Sequence, residues 1–132
     1  MTMTDPLADL LTRIRNACTA KHDRLDVPAS NLKHEVCKVL ARSRYLRSVE
    51  RIGGTPVDTL RIYLNYTPQG EQVIQHLQRV SRPGLRVYRK ASEIKPILDG
   101  HGVAVISTSS GLLTDAEARE RRVGGEILCE VW

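Results

Sequence analysis

Phenylalanine is absent from this 132-residue chain, and tryptophan occurs only once. With so few rings, leucine, isoleucine and valine must fill whatever interior the chain builds. Cysteine is scarce as well. Cys18, Cys37 and Cys129 are odd in number and widely spaced, which argues against a disulfide framework and for small buried thiols in a reducing compartment. No Cys-x-x-Cys or mixed Cys/His cluster offers metal ligands, and neither metal nor cofactor is expected. No apolar run approaches the roughly 20 residues that cross a bilayer, so no membrane partner is expected. The first six residues, Met1 to Pro6, lack the basic and then apolar order of a secretory leader, and a cytoplasmic protein is expected.

Catalytic constellations are also missing. His22, His34, His76 and His101 stand in unrelated contexts. Ser109, His101 and Asp115 can be drawn as a triad, but no Gly-x-Ser-x-Gly elbow presents the serine. Ser109-Ser110-Gly111 lacks the lysine and glycine spacing of a phosphate loop. No enzyme is expected, and a hydrolase built on Ser109 and His101 is kept only as a rival to test.

The chain does have a 41% hydrophobic content and a net charge of +5. The first supports a packed core. The second favours an acidic partner such as nucleic acid.

Asp5 and Pro6 have the order of an N-cap and first helical residue. Leu7, Leu10, Leu11, Ile14 and Cys18 then recur at helical spacing, predicting an amphipathic helix over 6–20. Arg13, Arg15 and Lys21 lie off that stripe, either as phosphate contacts or as a solvated face. Leu25 to Val27 reads as a short strand ended by Pro28. Ser30 caps a second helix with Leu32, Val36, Val39 and Leu40 on one face. Tyr45 to Ile52 and Val57 to Leu64 read as a hairpin, the second strand alternating Leu60, Ile62 and Leu64 with polar residues. Asn65 to Gly70 reads as a linker. Glu71 to Val80 fits helix or strand, with strand preferred.

From Arg79 to Lys90 there are five cations and no acid. Leu85, Val87 and Tyr88 read as a strand after the Pro83-Gly84 turn. Interleaved arginines and a tyrosine suit phosphate contact and stacking on an unpaired base; a charged edge strand protected from aggregation is the other reading. Ser92 to Leu98 is at most a short helix. Val103 to Ile106 reads as a strand running into four hydroxyl residues, Ser107 to Ser110, and Gly111. Thr114 and Glu117 have capping-box spacing and predict a helix from Asp115 to about Arg122. The hydroxyl stretch is therefore either a plain surface turn or a donor-rich recognition loop. After Gly124-Gly125, a strand over 126–132 places Ile127, Cys129 and Val131 on one face and Glu126, Leu128 and Glu130 on the other.

The fold class expected is α+β in two small lobes. Residues 1–66 form an amino-terminal helix-plus-sheet lobe and 67–78 a connecting segment. Residues 79–132 form a mainly β carboxy-terminal lobe with a short helix.

Several stretches together resemble one family. They are Asp5 to Asn16, Arg79 to Tyr88, Ser107-Thr108-Ser109 with Gly111, Thr114 to Arg119, and Gly124 to Cys129. In order and spacing they are similar to the bacterial form of the eighth small-subunit ribosomal protein. The resemblance implies a structural constituent of the small subunit. Such a protein binds the central domain of 16S rRNA at an irregular helix, mainly through its carboxy-terminal lobe, and supports assembly.

The resemblance also implies site residues. Ser107, Thr108 and Ser109 would touch sugar, phosphate and an extruded base. Tyr88 with Arg82 and Arg86 matches the family's tyrosine and basic strand, and Gly124, Gly125 and Glu126 its Gly-Gly-Glu turn. Other partners so implied are neighbouring small-subunit proteins and the chain's own operon mRNA. Two departures stand out. Ser110 replaces a common lysine, and Arg44 replaces a common glycine near the end of the second helix. The alternative is a general RNA- or protein-binding module without rRNA specificity.

Overall fold

The computed structural model describes residues 4–132; Met1 to Met3, part of the stretch read for a leader, lie outside the described residues. The chain is α+β and divides into two compact units, one over residues 9–75, the other joining the described residues up to Ala8 with 76–132.

Helix α1 (Pro6–Thr19), whose residues from Asp9 onward belong to the first unit, starts where Asp5 accepts from the Ala8 amide at 3.2 Å. The predicted stripe Leu7, Leu10, Leu11, Ile14 and Cys18 is buried throughout. Strand β1 (Arg24–Pro28) leads to helix α2 (Asn31–Arg42), capped by the Ser30 hydroxyl. Leu32 departs from expectation. It sits in the first turn of α2 at 45% exposure, and Cys37 completes the buried stripe instead. Strands β2 (Leu46–Ile52) and β3 (Thr59–Leu64) close an antiparallel sheet of order β1-β3-β2. Leu60, Ile62 and Leu64 are buried and alternate with half-buried Thr59, Arg61 and Tyr63. The stretch read as a linker closes on itself, with the Thr67 amide donating to the Glu71 carbonyl at 2.7 Å and the Gly70 amide to Thr67 at 2.8 Å.

The second unit is built on β4 (Leu77–Arg79), β5 (Tyr88–Arg89), β6 (Val103–Thr108), β7 (Gly111–Thr114) and β8 (Gly125–Val131), with the short helix α3 (Asp115–Arg121). Strand β8 is central. One edge pairs with β6, which continues to β7, while β4 and β5 share the other edge. Only Leu77–Arg79 of the ambiguous 71–80 stretch becomes strand. The predicted strand at Leu85 to Tyr88 shrinks to Tyr88–Arg89, because Arg82 and Leu85 exchange both backbone hydrogen bonds at 3.0 Å around Pro83-Gly84. Ser92 to Leu98 forms no α-helix. Leu98, Asp99 and Gly100 all take positive φ (46°, 54° and 93°), which breaks a right-handed turn.

The alternation expected for β8 also fails, for a definable reason. Val105 pairs with Cys129 and Ile106 with Ile127, so Leu128 is an extra residue on β8. This bulge reverses the parity of the strand. Ile127 faces Ile106 and Ala104 in a cluster completed by Ile94 and Ala118, while Cys129 and Val131 pair with Val105 and Val103. Leu128 is buried too. Burial pushes the Cys129 thiol up to about 12, so it stays a neutral core group.

The three α-helices among the described residues end alike. The amides of His22, Tyr45 and Val123 reach back to Ala17, Leu40 and Ala118, and the preceding residues Lys21, Arg44 and Arg122 take φ of 60°, 68° and 57°. These are Schellman closures in which a cation stands where glycine is usual.

Candidate nucleic-acid interface

The four hydroxyl residues do not form a loop between strand and helix. Ser107 and Thr108 end β6, Ser109 and Ser110 turn the chain, and Gly111 opens β7 with φ 95°. The hairpin braces itself. Thr108 Oγ1 donates to the Gly111 carbonyl at 2.8 Å and accepts from the Ser110 amide at 3.0 Å. Thr108 therefore shapes the turn. The Ser107 and Ser109 hydroxyls have no partner among the described residues.

Strand pairing assembles the rest. On β8, Glu126 pairs with Ser107 on one side and with Tyr88 on the other. Residues directly opposite on adjacent strands share a face, about 5 Å apart. Tyr88, Glu126 and Ser107 are thus one row across three strands, although they are distant in sequence. Tyr88 is 65% exposed, and its ring and hydroxyl have no partner among the described residues.

Glu126 is the anchored member of the row. Its Oε2 accepts from the Ser81 hydroxyl and, at 3.0 Å, from Arg86 Nη1. Ser81 Oγ in turn accepts from the Val87 amide at 3.1 Å. Burial works to raise the carboxyl, but the Ser81 and Arg86 hydrogen bonds outweigh it and hold Glu126 below its ordinary value. Oε1 has no partner among the described residues, and no buried side-chain oxygen there lacks one, so Oε1 reaches solvent.

The glycines are required by packing. A Cβ on Gly125 would lie 2.1 Å from the Ser107 carbonyl oxygen, and one on Gly124 would lie 2.4 Å from that of Arg89. They let β8 approach β6 and β5 closely enough to form the row. An open cleft beside them is lined by Tyr88, Arg89, Lys90, Arg122 and both glycines.

The arginines divide. Arg82 is exposed beside the Pro83-Gly84 turn. Arg86 is tied to Glu126. Arg79, read as a phosphate contact, is only 9% exposed in its side chain and is committed to Asp5 at 3.1 Å and the Leu128 carbonyl at 2.8 Å. In the first unit, Arg13 pairs with Asp9, and Lys21 donates to the Gly70 carbonyl with its ammonium 5.5 Å from the Tyr66 ring centre.

No triad forms. His101 precedes β6 and Ser109 follows it, so a six-residue strand, about 20 Å long, separates them. Asp115 is buried and holds the Ala104 amide at 3.0 Å and Arg119 at 2.8 Å. No cluster of metal-ligating side chains occurs among the described residues. Sequence reasoning missed Ser81. Its one signal was a small polar residue inside the basic strand.

A family model described as ribosomal protein S8 matches residues 5–132. The chain belongs to the ribosomal protein S8 family. Small ribosomal subunit protein uS8 of Streptococcus pneumoniae, in the strains Hungary19A-6 and CGSP14, is 52% identical over 132 residues, spanning 100% of both chains. As a member of the S8 family the protein is a structural component of the small ribosomal subunit and not an enzyme. It works in translation in the cytoplasm, in association with rRNA and other ribosomal proteins. No helix among the described residues is long and apolar enough to cross a membrane.

Proposed function

We propose that this protein binds the central domain of 16S rRNA directly, at an irregular helix, and thereby supports assembly of the small subunit. The observation that carries the reading is the row Tyr88–Glu126–Ser107, set by strand pairing, in which the Tyr88 and Ser107 hydroxyls and Glu126 Oε1 have no partner among the described residues. A-form RNA hides its major groove, so a protein reads 2′-hydroxyls, phosphates and bases displaced at irregular pairs. Tyr88 offers a stacking surface for a displaced base. Ser107 and Ser109 donate to sugar and phosphate from a turn shaped by Thr108 and Gly111. Glu126 accepts from an exocyclic amine, and Gly124 and Gly125 let RNA approach the backbone. Arg82 adds a salt-dependent contact.

The carboxy-terminal lobe, 79–132, carries the main contacts. The amino-terminal lobe, 1–66, connected through 67–78, adds weaker RNA contact and meets neighbouring small-subunit proteins. An operon mRNA folded into the same irregular helix would compete for the same row.

The test is a mobility-shift titration against a central-domain rRNA fragment at several salt concentrations. Ser107→Ala, Thr108→Ala and Glu126→Ala should each cost about 1–3 kcal/mol of specific binding. Equal, weak, salt-sensitive binding to any RNA would reduce the site to a basic surface. Binding insensitive to both salt and these substitutions would point to a protein partner.

A further inference from the structure

A carboxylate in an RNA interface faces a problem that the rest of the row does not. Phosphates repel it, and a mobile carboxylate would present either oxygen to any donor. Both difficulties are met by groups outside the row. Ser81 is fully buried, and its hydroxyl is used twice, accepting from the Val87 amide and donating to Glu126 Oε2. The proton order is thereby fixed, since an oxygen that takes the amide hydrogen turns its own hydrogen to the carboxylate. Arg86 reaches the same Oε2 from the solvent side, with its side chain 49% exposed while that of Glu126 is 15% exposed. The ion pair offsets the negative charge. Oε2 has two donors already, and Oε1 has none among the described residues.

The geometry points to Ser81 and Arg86 as positioning residues that clamp one oxygen of Glu126 and leave the other as a single, directional acceptor for one exocyclic amine of an unpaired base. This rests on the RNA-binding reading above and sharpens it. A free carboxylate can take the paired N1–H and N2–H donors of guanine in a bidentate fashion. A clamped one takes a single N–H, as offered by adenine N6, cytosine N4 or guanine N2. Arg86, which the sequence suggests as a phosphate contact, is assigned here to Glu126. It should contribute to base choice more than to the salt dependence of binding.

The experiment is analogue interference on the central-domain rRNA fragment. Transcripts carry low levels of inosine for guanosine, purine riboside for adenosine, or pyrimidin-2-one riboside for cytidine, each lacking the exocyclic amine. Bound and free pools are compared for wild type, Ser81→Ala, Arg86→Met, Arg86→Lys and Glu126→Gln. Thermal unfolding of each variant is followed in parallel. Wild type should disfavour amine deletion at one position by about tenfold, the scale of a base-specific contact. That signal should fall below about twofold in Glu126→Gln, Ser81→Ala and Arg86→Met, and should return in Arg86→Lys, with interference elsewhere unchanged. A purely structural role for Ser81 would weaken binding of all transcripts equally. If Ser81→Ala does not fold, the two Arg86 variants decide, because they alter a half-exposed side chain. An amine signal that survives in Arg86→Met and Ser81→Ala, or no amine signal in a wild type that binds the fragment, overturns the assignment and leaves the RNA reading intact. A wild type that does not bind the fragment removes the RNA reading itself.

Discussion

Each of the two units has a tyrosine and a glutamate on the exposed part of a sheet, and the two pairs are treated in opposite ways. In the first, Tyr63 donates to Glu50 at 2.9 Å and lies under the Arg47 guanidinium, 5.1 Å from the ring centre. Beside them Arg61 grips both oxygens of Asp26 at 3.0 and 3.1 Å. The charges on that surface satisfy one another. In the second, Tyr88 has no partner among the described residues and Glu126 keeps one oxygen open. A closed network needs nothing from outside. An open one held rigid has valences to spend on a ligand. Composition does not separate the two surfaces, since both contain arginine, glutamate and tyrosine; the tyrosines do, for Tyr63 is bonded to Glu50 under an arginine and the Tyr88 side chain is bonded to nothing among the described residues.

The sharpest way to break the comparison is at the glycines. Gly125→Ala should destabilise the protein by about 3 kcal/mol, because the new methyl meets the Ser107 backbone, and urea unfolding measures it. Gly53→Ala in the first unit meets nothing nearer than 4.0 Å and should change stability by less than about 0.5 kcal/mol. Next come the tyrosines. Tyr88→Ala should cost about 1–3 kcal/mol of affinity for the rRNA fragment through lost stacking. Tyr63→Ala should leave affinity unchanged in the same titration.

A smaller effect, of the opposite sign, is expected at the helix ends. Arg44→Gly relieves a left-handed arginine and should raise stability by about 0.5–1 kcal/mol, read from the thermal midpoint. The smallest effect concerns pH. The Glu126 carboxyl is held below its ordinary value when folded. Its contribution is complete above the usual carboxylate range and fades as pH falls through the lower folded value. Glu126→Gln should therefore flatten the acid limb of a stability profile by about 1 kcal/mol or less. Asp26, lowered first by its Arg61 hydrogen bond, has the same sign. It stands in open solvent and should give still less on Asp26→Asn.

The helices were legible because capping and 3.6-residue periodicity are local. Ser30, Thr114 with Glu117, and the Leu7 to Cys18 stripe all act within one or two turns. Strand β3 was legible from its alternation. Pairing across strands was not. Nothing near Glu126 in sequence signals that Ser107, Tyr88 and Ser81 will surround it, since those contacts are set by register. At 92–98, where the sequence allowed at most a short helix, the chain makes only short 3-10 turns at Ala91–Glu93 and Ile97–Gly100, which lay Ile94 and Ile97 on the apolar cluster. The resemblance located residues of the row, but gave neither the partnering of Arg86 nor the buried Ser81.

The Leu128 bulge works as a frame shift in β8. Upstream of it even-numbered residues share a face with Ser107; downstream, odd-numbered residues share a face with Val105. The upstream half presents a carboxylate to solvent, while the downstream half anchors the sheet with Cys129 and Val131. Removing Leu128 would merge the frames without turning either half over: with Cys129 kept opposite Val105, Ile127 would stay opposite Ile106 and Glu126 opposite Ser107. A chain one residue shorter here would lose the buried Leu128 side chain and the local bend and twist that an extra residue gives its strand. The extra residue therefore serves the core and the curvature of the sheet, and the place of the carboxylate is set by the register on either side of it.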